Sequence, residues 1–105
     1  MKNIVNQLDR LVQEWAGKQR SEISGQCGCV GHHIIGRANH YLRFDRENIF
    51  VCTPQEHDLI HRGILKVESY ASPKRIGHLH DKRLKSLTWK PTDEFYQQQL
   101  LKWRI

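Results

Sequence analysis

Five residues in one stretch of this chain have the types and spacings that chemistry requires. His32 and His33 are adjacent. Asn48 follows His33 by fifteen positions, His57 follows Asn48 by nine, and His61 follows His57 by four. Imidazole is both a metal ligand and a base whose unperturbed pKa lies near neutrality. A pair at i and i+4 on a helix shares one face, a single turn apart, so His57 and His61 are placed to reach one metal ion. The same stretch signals the elements that would carry these residues. Thr53 is a natural N-cap, Pro54 fits the first helical position, Glu56 completes a T-x-x-E capping box and Gly63 is a natural stop. Ahead of that helix, Asn48-Ile49-Phe50-Val51-Cys52 reads as a short apolar strand, and His32-His33-Ile34-Ile35, ended by Gly36, reads as another. The polar segment 37–47 between them is long for a hairpin turn and is a candidate functional loop. The predicted order is strand, long loop, strand, helix.

This order resembles the ββα-metal, or HNH, nuclease motif. In that family the first strand carries a metal ligand followed by the catalytic histidine, an asparagine opens the second strand, and the helix supplies the remaining ligands. The His-His, Asn and His-x-x-x-His version found here is similar to that of the colicin-type DNases. The surrounding text, CGCVGHHIIGRANHYLRFDRENIFVC, is similar to the phage Rap (NinG) recombination nucleases, notably in Leu42-Arg43-Phe44 and Glu47-Asn48-Ile49. The resemblance covers residues 27–63, and it implies an α+β fold: a ββα-metal core with flanking helices at both ends.

The resemblance also implies a metal-dependent endonuclease that hydrolyses DNA, phage-derived in type and working in recombination or restriction. One divalent ion would be held by His32, His57 and His61, leaving positions open as catalytic sites do. His33 would be the general base, and Asn48 would hydrogen-bond the backbone of the long loop and hold that base in place. Adjacent strand residues point to opposite faces, so His32 can face the metal while His33 faces the water. An all-imidazole set suits zinc, nickel, cobalt or manganese better than magnesium. Many family members nevertheless use magnesium with an acidic ligand in the position of His32, which leaves the metal open. Arg37 and Arg43, in the loop, either contact the phosphate at the cut or are surface residues. Arg43 is the stronger candidate because its neighbours match the phage family, so Arg43→Ala is expected to slow cleavage more than it disturbs folding.

The flanking sequence supplies the scaffold. Ile4, Val5, Leu8, Leu11, Val12 and Trp15 recur at steps of three and four, which predicts an amphipathic helix over 3–16. Its stripe must be covered, by the core or by a second copy in a homodimer. Residues 18–26 are polar and read as a linker. Ile64 to Tyr70 reads as a short strand or loop. Ser72 and Pro73 open a second helix that runs to about Leu87, with Ile76, Leu79 or His80, Leu84 and Leu87 on its inner face. Lys74, Arg75, Lys82, Arg83 and Lys85 make that helix basic, either as a solvated face or as contacts to a phosphate backbone. Thr92, Asp93 and Glu94 start a third helix, acidic at its N-terminus as the helix dipole favours. Its Phe95, Leu100 or Leu101, and Trp103 are expected to dock on the first helix.

The 105 residues suffice for one small domain: an N-terminal helix and linker (1–26), the motif (27–63) and C-terminal helices (64–105). The formal charge is +6, which favours a polyanionic partner such as DNA. No apolar run reaches the length of a membrane span and no apolar leader follows Lys2. Three cysteines are an odd count, which argues for a reducing, cytoplasmic setting. Cys27 and Cys29 form a C-x-C pair, but Cys52 has Gln55 where a second partner would stand, so a four-cysteine zinc site is not available within one chain. The alternative function is a non-catalytic, zinc-stabilised DNA-binding module in which Cys27 and Cys29 complete a site with His57 and His61. That reading leaves His32-His33 and Asn48 unexplained.

Overall fold

The computed structural model describes residues 2–104. Among them are five helices and one two-stranded antiparallel sheet: α1 (Lys2–Gly17), β1 (Val30–His33), α2 (His40–Arg43), β2 (Ile49–Cys52), α3 (Pro54–His61), α4 (Pro73–Ser86) and α5 (Asp93–Arg104). The expected order of strand, loop, strand and helix is present, within an α+β fold. No helix of the described residues is long and apolar enough to cross a membrane.

The strand boundaries differ from expectation. β1 starts two residues earlier and ends at His33 rather than Ile35. The register pairs Val30 with Cys52, Gly31 with Val51, His32 with Phe50 and His33 with Ile49. Asn48 does not open β2. It closes a 3₁₀ turn, Arg46–Asn48, capped by Asp45, whose carboxylate accepts from the Glu47 amide at 3.0 Å. The expected strand or loop at 64–70 is a loop with a 3₁₀ turn, Val67–Ser69.

All four residues of β2 are buried, because the sheet is covered on both faces. Side chains alternate along a strand. Ile49 packs with Leu8, Val12, Phe44, Tyr96, Leu100 and Trp103, between α1 and α5. Val51 meets Ala16 and Cys29 on the same side. Phe50 and Cys52 turn the other way, onto Val67 and Ala71, with Ile60 of α3 and Ile76 of α4 beside them. The buried indole of Trp103 donates to the Phe44 carbonyl at 2.8 Å, so its polar atom is satisfied. α5 therefore docks on α1 as expected, through Leu100 and Trp103; Leu101 is exposed. The central stripe of α1 is thereby covered within the chain and is not left free for a second copy.

α3 has the predicted N-terminus. The Thr53 hydroxyl accepts from the Glu56 amide at 3.1 Å, and the Glu56 carboxylate accepts from the Thr53 amide at 2.8 Å. At its other end Gly63 adopts φ +74°. The Ile64 amide returns to the Leu59 carbonyl and the Gly63 amide to that of Ile60, the Schellman closure that a left-handed glycine permits. α4 is capped by Ser72, which accepts from the Arg75 amide at 3.1 Å. Its inner face is shorter than expected: Leu79 is buried and Ile76 partly so, but Leu84 and Leu87 are 55% and 77% exposed. α4 packs on α2 and the 3₁₀ turn before β2, and that surface ends before Leu84.

Candidate metal centre and its surroundings

The register of the two strands sorts the histidine doublet. His32 lies opposite Phe50 and so faces α3; His33 lies opposite Ile49 and faces α1. On the α3 side, His32 meets His57 and His61, with ring centroids 5.2 and 5.3 Å away. One ligand atom from each of the three lies within 4.8 Å of the others. The Nε2 atoms of His57 and His61 are 3.0 Å apart. Two nitrogens bound tetrahedrally to one ion at 2.0–2.1 Å would stand about 3.3 Å apart, so this pair is already near a chelating geometry.

Ligation requires neutral imidazole. Burial first, then the neighbouring rings of His57, His61 and His33, push the His32 pKa down to about 4. Burial and His61 lower that of His57 against the pull of Asp58. The donor set thus fits a divalent ion at neutral pH. Among the described residues, it is the only group of three or more His, Cys, Asp or Glu side chains close enough to hold a metal.

His33 is held differently. Its Nε2 lies 2.9 Å from the Arg43 carbonyl oxygen. A carbonyl only accepts, so Nε2 carries the hydrogen and Nδ1 keeps the free lone pair. Burial lowers the His33 pKa; the hydrogen bond to Arg43 and the charge of Asp9 oppose, and the cations of Arg37 and Arg43 add to the lowering. A neutral ring with Nδ1 open is able to take a proton from water.

Asn48 is fully buried. Its Oδ1 accepts from the Ile35 amide at 2.7 Å, and its Nδ2 donates to the carbonyls of Ile35 and Leu42, both at 3.0 Å. The side chain spans both ends of the 34–47 loop, and one of its bonds lands beside Arg43. The expected tie between this asparagine and the loop near His33 is present in geometry.

The five residues do not act alone. A cavity of about 490 Å³ opens over His32, His33, His57 and His61, and Asp9, Gln13 and Arg37 also line it. Asp9 and Gln13 come from α1, which the sequence assigns only a packing role. A larger cleft of about 610 Å³ beside Phe44 and Trp103 holds none of the five.

The arginines divide. Arg37 lies at the cavity with its side chain 61% exposed and one 3.2 Å contact to Asp9. Arg43, the stronger candidate by sequence, has a side chain only 13% exposed and gives two hydrogen bonds to Asp9. Of the basic residues on α4, Lys74 and Arg83 are exposed. Arg75 and Lys82 are engaged within the chain instead. Arg75 donates to the carbonyls of Glu47 and Ile49 and to the Glu22 carboxylate. Lys82 pairs with Asp45 and Glu47 at 2.6 and 3.1 Å. Their charges hold α4 against the 3₁₀ turn and the linker.

The cysteines do not join the histidines. Cys27 is exposed, whereas Cys29 and Cys52 are buried. Burial pushes the Cys52 thiol up to about 12 and raises that of Cys29, with Glu56 adding to both. These two behave as buried, protonated core thiols.

No family model matches the chain, and neither a curated protein nor a solved structure matches it.

Proposed function

We propose that this chain is a metal-dependent endonuclease of the HNH, or ββα-metal, type that hydrolyses phosphodiester bonds in DNA. One observation carries the reading: adjacent histidines on β1 are split between two environments. His32 converges with His57 and His61 on one point, while His33 is anchored through Nε2 with Nδ1 open. A structural metal site needs the first arrangement and has no use for the second.

A divalent ion bound by His32, His57 and His61 would supply Lewis-acid neutralisation of the scissile phosphate and of the leaving oxygen. The protein's own residues do the rest. His33 accepts a proton from the attacking water at Nδ1. The imidazolium that results keeps its Nε2–H on the Arg43 carbonyl, a hydrogen bond that strengthens as the ring gains charge. Asn48 holds the loop that carries this carbonyl. Arg37, exposed at the cavity, contacts a phosphate oxygen. The charge of +6 and the exposed Lys74 and Arg83 favour a polyanion as substrate. Strand cutting of this kind would serve recombination or restriction.

The test is nicking of supercoiled plasmid by the natural protein and by His33→Ala across magnesium, manganese, nickel, zinc and chelator. The expected result is metal-dependent nicking that the substitution abolishes while metal stays bound. Folded, metal-loaded natural protein that fails to nick with every one of these metals would overturn the reading.

A further inference from the structure

α1 enters the site as well as the core. Asp9 and Gln13 stand one turn apart on the flank of its apolar stripe. Gln13 brackets Gly31 of β1, accepting from its amide at 2.9 Å and donating to its carbonyl at 3.2 Å. A Cβ on Gly31 would lie 3.5 Å from both the Ala16 Cβ and the Gln13 Nε2 of α1, and 2.7 Å from the Ile49 Cγ2 of the neighbouring strand. Asp9 is thereby seated beside the strand that carries the two histidines.

Two arginines of the loop share its carboxylate. Arg43 donates from Nε to Oδ1 at 3.0 Å and from Nη2 to Oδ2 at 2.6 Å. Arg37 reaches the same Oδ2 at 3.2 Å. The other edge of the Arg43 guanidinium is also engaged: Nη1 donates to the His40 Nε2 at 3.2 Å. An arginine N–H cannot accept, so His40 carries its hydrogen on Nδ1, 2.8 Å from the Tyr96 hydroxyl oxygen. Arg43 is thus gripped from α1 on one side and through His40 from α5 on the other. Its main-chain carbonyl is the acceptor for His33.

We infer that Asp9 is a positioning residue of the site, an inference that rests on the nuclease reading: its carboxylate, through Arg43, fixes the carbonyl that orients His33. The physical reason lies in the charge count. With Asp9 present, one anion sits between two guanidinium groups. Without it, two cations face each other with no anion between them, and a bidentate ion pair is lost. The 37–43 segment then moves, and the Arg43 carbonyl moves with it. His33 loses the acceptor that selects its tautomer. Arg37 is released toward phosphate at the same time, so binding of DNA is not weakened.

The experiment compares the natural full-length protein with Asp9→Asn and Asp9→Glu. Asp9→Asn keeps the shape but turns an amide toward arginine donors. Plasmid nicking is measured against DNA concentration, with nickel affinity and melting temperature alongside. The expected result is a fall in kcat of about 10- to 100-fold, the range for residues that orient a catalytic group. KM should not rise, nickel affinity should be retained, and Asp9→Glu should recover part of kcat. An unchanged kcat overturns the inference, as does a fall matched by lost nickel binding or lost folding. The second readout needs no turnover: the ¹⁵N signals of the His33 ring at pH 7.5. The natural protein should show the Nε2–H tautomer and Asp9→Asn a mixture. An identical tautomer in both overturns the inference even if nicking is observed. A shifted tautomer in a protein that never nicks supports the positioning role and overturns the nuclease reading instead.

Discussion

The Nε2 of His33 lies 2.9 Å from the carbonyl oxygen of Arg43. Arg43 therefore meets His33 through its backbone, while its side chain is paired with Asp9 of α1. His33 receives its orientation from a loop residue ten positions away, and that loop is held in turn by the buried Asn48 and by Asp9 of α1.

The two loop arginines differ in exposure and should differ in what their removal costs the fold. Arg43→Ala removes a bidentate pair whose side chain is 13% exposed; hydrogen bonds to charged groups are worth about 1.5–3 kcal/mol, and a stability loss of that order is expected. Arg37→Ala removes one contact from a side chain 61% exposed, and its stability should stay within about 0.5 kcal/mol of the natural protein. Nicking should fall in both, in Arg37→Ala with the fold intact. Urea unfolding beside nicking rates checks the order; a destabilised Arg37→Ala with a stable Arg43→Ala would refute it.

Asn48→Asp tests the loop tie at constant shape. Oδ1 can still accept from the Ile35 amide, but a carboxylate oxygen would replace the amide that donates to Ile35 and Leu42 at 3.0 Å. The Leu42 carbonyl keeps the Asp45 amide at 3.1 Å, but the Ile35 carbonyl loses its donor, which costs about 1–3 kcal/mol, and the new charge is repelled by both carbonyls. The melting temperature should drop by 4–8 °C for each kcal/mol lost in a domain of this size. A melting temperature within a degree of the natural protein would show that the loop does not depend on this side chain.

Glu56 gives a pH dependence with a definite sign. Burial alone would raise its pKa, but donors from Ser21, Ser24 and Thr53 outweigh it and hold the carboxyl below its ordinary 4.5; the Ser21 hydroxyl lies at 2.6 Å. A depressed folded pKa stabilises above the unfolded value, and that stabilisation is lost as pH falls through the folded one. The natural protein should therefore exceed Glu56→Gln in stability at pH 7, with the gap narrowing below about pH 4.5. The lowered histidine pKa values act in both proteins and cancel in the difference. Denaturation midpoints at several pH values read this directly. A gap constant with pH would assign the role of Glu56 to shape rather than charge.

What was legible in the sequence was local. The capping box of Thr53 and Glu56 spans three residues, and the His57–His61 pair spans one turn, so spacing alone places them. The alternation that separates His32 from His33 is likewise a property of any strand. Asp9 and Gln13 were not legible as site residues, because their partners lie 18 to 34 positions away and a polar residue flanking an apolar stripe looks like any solvated one. Charge counting could not tell Lys74 and Arg83 from Arg75 and Lys82. The latter two find their acids 35 to 53 residues away, and only the folded chain brings those acids to α4. Periodicity marked Leu84 and Leu87 as apolar on one face, but it carries no information on where the covering surface stops.

Metal binding separates the roles within the doublet. An ion bound by the folded chain stabilises it by RT ln(1 + [L]/Kd), about 2.7 kcal/mol when free metal is roughly 100 times Kd. Nickel or zinc added to chelator-stripped protein should therefore raise the melting temperature. The ligand atoms of His32, His57 and His61 lie within 4.8 Å of one another, so His32→Ala, His57→Ala and His61→Ala should each lose most of that rise. His33→Ala should keep it, because that ring faces α1 and is anchored on Arg43. Unfolded chain also binds metal through cysteine and histidine, which lowers the apparent effect. All four variants carry the same three cysteines and lose one histidine each, so the comparison among them is free of that term. A rise abolished by His33→Ala and kept by His61→Ala would place the ion on the other face of β1.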